Sequence, residues 1–144
     1  MPRNVLLITT DQQRYDALGC NGGAVAKTPV IDALARDGIN YHQARDQCAV
    51  CMPARATILT GQHIRRHGVR SNGIPLPADH PSLAHILNDA GYATALIGKA
   101  HFEPHAARDY FENTAPGAGS PGPHRGLDYM GLAGHTGPRR PPRC

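Results

Sequence analysis

Apolar residues come in short runs separated by polar and glycine-containing stretches, and the spacing within each run predicts its element. Asn4-Val5-Leu6-Leu7-Ile8-Thr9-Thr10 is continuous, apolar and β-branched, the pattern of a strand buried in a parallel sheet. Asp11 follows at once, and open α/β sheets bind ligands beyond the carboxyl ends of their strands. Thr28 to Gly38 predicts a helix: Thr28 can cap it, Pro29 suits its first turn and Gly38 ends it. Val30, Ile31, Leu34 and Ala35 share one face of that helix, for packing on a core. Ile39 to Ala44 reads as a second strand. Another helix is expected from near Pro53 through Thr60 to Gly61, and a third from Ser82 to Ala90, with Leu83, Ile86, Leu87 and Ala90 at helical spacing and Gly91 as its stop. Tyr92 to Gly98 reads as a further strand, with Lys99 and His101 at its carboxyl end.

Helices between short apolar strands predict an α/β fold, a mainly parallel sheet flanked by helices. The pattern changes after about Asn113. From Thr114 to Cys144, 13 of the 31 residues are Gly or Pro, which predicts an irregular tail. The expected organisation is therefore a body over 1–113 and a tail over 114–144, with no internal repeat.

Composition narrows the function classes. At 144 residues and 40% apolar content, the chain is long enough for one domain with a core. No apolar run approaches the ~20 residues of a membrane span, so no membrane partner is expected. After Met1-Pro2-Arg3-Asn4 the run Val5–Ile8 is shorter than the ~7–15 residues of a secretory signal core, so the expectation is a cytoplasmic protein. Cys20, Cys48, Cys51 and Cys144 are too few for a disulfide framework. A charge of +4 is mild, and 5% aromatics leave few platforms for stacking bases, so no nucleic-acid partner is expected. The histidines do more for the picture, since imidazole serves metals and protons near neutral pH. Most are nonetheless expected at the surface: His80, His85 and His105 at helix or loop edges, His42 on a strand face, His124 and His135 in the tail.

The candidate chemistry centres on Cys51-Met52-Pro53-Ala54-Arg55. The cysteine precedes a helix whose first-turn N–H groups and dipole favour an anion, and Arg55 adds a permanent charge one turn in. Two readings stand on these residues alone. One is a structural cysteine at a helix start; the other is a thiolate or modified cysteine acting on a sulfate or phosphate. A zinc finger is a third reading, because Cys48-x2-Cys51 is followed after eleven residues by His63-x3-His67. It is disfavoured: the spacing is one short of the usual ~12, Arg55 and Gly61 stand where an aromatic and a leucine belong, and Pro53 opposes the required turn.

Cys51-x-Pro-x-Arg55 resembles the signature of the sulfatase family, within the alkaline phosphatase superfamily, whose cysteine a separate formylglycine-generating enzyme oxidises to Cα-formylglycine. Other pieces resemble that family in the same order: Asn4 to Asp11 with Gln12-Gln13-Arg14, Thr57-Ile58-Leu59-Thr60-Gly61, Arg70-Ser71-Asn72-Gly73, and Gly98-Lys99-Ala100-His101-Phe102. The similarity covers roughly residues 4 to 105. Two positions depart from the common pattern: Asp11 is followed by Gln12 instead of a second acid, and Ala54 stands where serine is frequent before Arg55.

The resemblance implies a sulfuric ester hydrolase that acts on small-molecule or glycan sulfate esters through formylglycine at residue 51. It implies a divalent metal, expected to be Ca²⁺, held by Asp11 and by residue 51. In the same terms Arg55 stabilises charge at residue 51, Lys99 binds a sulfate oxygen, and His101 hydrogen-bonds residue 51 and assists proton movement. Gln12 and Asn72 are implied substrate contacts. The family's second pair of metal ligands, a third histidine and a second lysine fall beyond position 144, so the expectation is the N-terminal part of a catalytic domain over 1–113, inactive alone. A phosphonate or phosphate ester hydrolase of the same superfamily is the alternative enzyme, and a non-catalytic truncated fragment the alternative of another class.

Overall fold

The structure, a computed structural model, describes residues 3–104 and 120–132. The chain forms two compact units, Met1–Arg45 and Asp46–Cys144, so a division falls inside the stretch that reads as one body from sequence.

In the first unit two 3₁₀ turns, Tyr15–Ala17 and Gly19–Asn21, precede helix α1, Pro29–Asp37. The helix has the expected limits, with Pro29 in its first turn and Gly38 after its end. The expected side-chain cap is not made: the Thr28 hydroxyl instead accepts from Gly19 N at 2.9 Å and donates to Asp32 Oδ1 at 3.0 Å. Asp32 Oδ1 also accepts from Cys20 N at 2.7 Å. Burial, and then the Asp32 charge, push the Cys20 thiol above its ordinary pKa, which disfavours the thiolate.

Two expectations for this unit are corrected. Asn4–Thr10 and Ile39–Ala44 form no strand, and Leu6 and Ile8 are 84% and 74% exposed. A parallel interior strand takes its hydrogen bonds and burial from neighbours, and the first unit has no strand among its described residues. For the same reason the apolar face of α1 is uncovered, Val30 being 73% and Leu34 65% exposed.

The second unit carries α2 (Cys51–Thr60), α3 (Ile64–His67), α4 (Leu83–Asp89), β1 (Ala95–Gly98), β2 (Ser120–His124) and β3 (Leu127–Leu132). The sheet order is β1-β3-β2, with β1 and β3 parallel and β2 and β3 antiparallel. The α/β class holds, although one of the two pairings is antiparallel. The hairpin β2–β3 lies inside the stretch predicted to be irregular. Its prolines are tolerated because β2 is an edge strand, where a missing N–H need not break the ladder. Met52, Ala56, Val69, Leu76, Ala84, Ala100, Phe102, Leu127 and Met130 form one core, drawn from α2, the segment between α3 and α4, α4, the hairpin and the segment after β1. No described helix is long and apolar enough to cross a membrane.

Candidate functional site

Helix α2 begins at Cys51, with Val50 extended before it and no side chain of its own at the cap. A helix leaves its first N–H groups without partners. Here the proline removes the one at position 53, and Asn72 Oδ1 accepts from Met52 N at 3.0 Å. Val50 N, just before the helix, donates to Cys48 Sγ at 3.4 Å. Two of the first-turn donors expected to face an anion are thus absent or engaged, and the electrostatic work shifts toward Arg55 and the helix dipole.

The segment Arg70–Gly73 is fastened to that helix start twice, since Gly73 N also donates to the fully buried Met52 at Sδ, 3.2 Å. Asn72, an expected substrate contact, therefore has a structural duty as well. A carboxamide has one acceptor and two donors; the acceptor caps α2, and the donors are the part suited to an anion. Asn72→Ala is expected to destabilise the second unit by about 1 kcal/mol, the usual value of a lost helix cap, read as a lower urea midpoint. Asn72→Asp keeps the acceptor and is expected to lose much less.

The third piece follows β1. Gly98 has φ 109, a backbone shape that suits glycine alone, and it turns the chain out of the strand into Lys99-Ala100-His101-Phe102. Arg55 Nη1 donates to Lys99 O at 2.7 Å, and Leu76 N donates to Phe102 O at 2.9 Å. His101 is buried at φ 55, a left-handed conformation that persists only when its surroundings impose it. The helix start bearing Cys51, the Arg70–Gly73 segment and the Lys99–His101 segment are consequently knitted together. Cys51 is half-buried with a free thiol.

Asp11 and Gln12 belong to the first unit, where both are exposed and Gln12 has φ 54. Sequence reasoning missed two residues of the second unit, Glu103 and Arg125, which form a buried ion pair at 3.0 Å. The turn dipeptide Arg125-Gly126 was the available signal.

The zinc-finger reading fails here. His67 Nδ1 accepts from Val69 N at 3.2 Å and its Nε2 lies 3.1 Å from Thr57 Oγ1, so both ring nitrogens are engaged. The described residues contain no group of three or more His, Cys, Asp or Glu able to hold a metal. Of the remaining histidines, His42 bonds Tyr15 and His85 bonds Ser82, His80 lies beside Pro81 O, His124 ends β2, and His105 and His135 lie outside the described residues.

Burial, and then the charge of His80, hold His67 below its ordinary pKa of 6.5. The unfolded chain therefore binds this proton more readily. The stability due to neutral His67 is complete above pH 6.5 and is lost as pH falls from there through the folded-state value. Thermal unfolding between pH 8 and pH 5 is expected to show a midpoint that drops with acid, and His67→Gln is expected to flatten that slope.

Comparison with known proteins follows the same residues. A family model described as Sulfatase matches residues 3–136. An ulvan-active sulfatase of Formosa agariphila is 39% identical over 107 residues, covering 74% of this chain and 21% of that protein. A solved structure from Bacteroides fragilis, assigned as the sulfatase yidJ, matches with a TM-score of 0.63 at 32% identity, over 73% of this chain and 25% of that one. The phosphonate monoester hydrolase of Agrobacterium radiobacter matches with a TM-score of 0.60 at 35% identity, over 75% and 21%. The chain spans about a fifth of the length of the curated relatives it matches.

Proposed function

We propose, from the premise that this chain belongs to the sulfatase family, that it carries the N-terminal portion of the active site of a sulfuric ester hydrolase. Its substrates are sulfate esters of small molecules or glycans. The observation that supports this best is the 2.7 Å bond from Arg55 to Lys99 O, which draws the helix of Cys51 against the segment of Lys99 and His101.

The family generally works through formylglycine and a divalent metal. Cys51 suits the modification: it is half-buried, unpaired with other cysteines and at a helix start. Formylglycine, once hydrated to a geminal diol, would supply a hydroxyl as the nucleophile toward sulfur. The described residues do not fit a metal on their own, because they hold no ligand cluster and Ca²⁺ takes ~6–8 oxygens. Asp11 is one such oxygen donor, and no step here runs through the ion.

The chain's own residues then have assigned tasks. Arg55 and the start of α2 hold negative charge at residue 51. Lys99 binds a sulfate oxygen and offsets its charge. His101 hydrogen-bonds residue 51 and moves its proton. Asn72, through its carboxamide donors, contacts the substrate.

The likeness to a phosphonate monoester hydrolase favours a second reading, phosphonate or phosphate ester hydrolysis at the same residues; Lys99-Ala100-His101 leans toward sulfate. The test is co-expression with a formylglycine-generating enzyme and mass spectrometry of the tryptic peptide of residues 46–55. Replacement of the thiol by an aldehyde supports the proposal, whereas a thiol that survives co-expression overturns it and leaves a non-catalytic fragment. The converted chain alone is expected to show little or no turnover, and in any converted form that turns over the ratio of activity on an aryl sulfate and a phosphonate ester separates the two readings.

A further inference from the structure

We propose that Arg125 is a positioning residue for the Lys99–His101 segment, acting through its buried bond to Glu103; this assignment rests on the sulfate-ester reading of that segment. Arg125 lies in the turn between β2 and β3, and its backbone is tied to α4. Its carbonyl accepts from Ser82 Oγ at 2.7 Å, while that of Gly126 accepts from Asn88 Nδ2 at 2.7 Å and from Thr94 Oγ1 at 2.9 Å. The Arg125 side chain leaves this fixed base and meets Glu103 at 3.0 Å, with 8% and 12% of the two side chains exposed.

Arg125 has φ 53, a conformation that glycine or asparagine adopts far more readily than arginine. Retaining a long cationic side chain there makes sense if the side chain does something a glycine could not. What it does is reach Glu103, two residues after His101 and four after Lys99. That segment is held at Lys99 by Arg55, at Phe102 by Leu76 and at Glu103 by Arg125. His101 sits inside these holds with its backbone left-handed, so loss of one hold should let it relax. Groups that meet a reacting oxyanion need placement within a fraction of an ångström, and side chains set by packing and ion pairs from outside the site are how folds achieve it.

The test compares three variants of the 144-residue chain: Arg125→Met, Arg125→Lys and the double variant Arg125→Met/Glu103→Gln. The double variant removes both charges of the pair together, so it is expected to keep the fold even if Arg125→Met does not. Amide hydrogen exchange and the imidazole resonances of His101 are read by NMR. In the double variant, exchange at Ala100, His101 and Phe102 is expected to rise roughly tenfold, with a shifted His101 signal, while β3 and the middle of α4 stay protected. Arg125→Lys, which keeps the charge, is expected to restore much of the wild-type pattern. Equal acceleration in β3 and at 100–102 would mark a brace for the whole unit and overturn the proposal, as would an unchanged segment. Neither readout requires turnover, so failure of the sulfatase reading at residue 51 is seen separately.

Discussion

Replacing Gly126 with alanine is expected to cost the second unit about 2–5 kcal/mol, a large part of the ~5–15 kcal/mol that holds an ordinary domain folded. Two independent effects add. Gly126 has φ 82, and a side chain in the left-handed region costs roughly 1–2 kcal/mol. A Cβ at this position would also lie 2.5 Å from His85 N and 2.9 Å from His85 Cα. These are backbone atoms of α4 and cannot swing aside, so the turn must lift, at roughly 1–3 kcal/mol for such overpacking. Lifting it would stretch the bonds from Asn88 and Thr94 to Gly126 O and from Ser82 to Arg125 O. It would also pull Leu127 out of the core. Urea unfolding followed by circular dichroism measures the loss. A midpoint within about 0.5 kcal/mol of wild type, the range of ordinary surface changes, would mean the turn is not seated on α4.

That turn also shows where sequence reading stops. Elements whose ends carry local chemistry were legible: Pro29 and Gly38 bound α1, Gly61 ends α2 in a left-handed cap, and Ser82 caps α4 by accepting from His85 N. Each signal lies within a few residues of the feature it marks. Asn4–Ile8 has as strong an apolar pattern, yet a strand exists only with a partner, and the pattern says nothing about whether one is present. Helix α3 is a single turn, too short for a period to register. The hairpin was hidden by prolines that only its edge position permits. In the site the division is the same. Arg55, Asn72, Lys99 and His101 stand out through short motifs, whereas the cap that Asn72 gives a helix 20 residues away and the bond from Arg125 to Glu103 across 22 do not. Such pairings are set by the folded topology and leave no local trace.

Arg55→Met is expected to reduce turnover by a factor of about 10²–10³ in any form of the protein that is converted at residue 51 and active, the range seen when one fixed donor facing an oxyanion is removed. Methionine keeps the length and most of the apolar contact of the side chain, so the loss isolates the guanidinium. That group does two things at once. It places a permanent charge one turn above residue 51, and through Nη1 it binds Lys99 O at 2.7 Å. The second role has its own signature, because a partly buried carbonyl left without its donor costs about 1–3 kcal/mol of stability, measurable in the unconverted 144-residue chain. Arg55→Lys separates the two. A lysine retains the charge but lacks the planar fork, so turnover should recover further than the stability does. If Arg55→Met left both turnover and the unfolding midpoint unchanged, the bond to Lys99 would not be what brings Cys51 and the Lys99–His101 segment to one place.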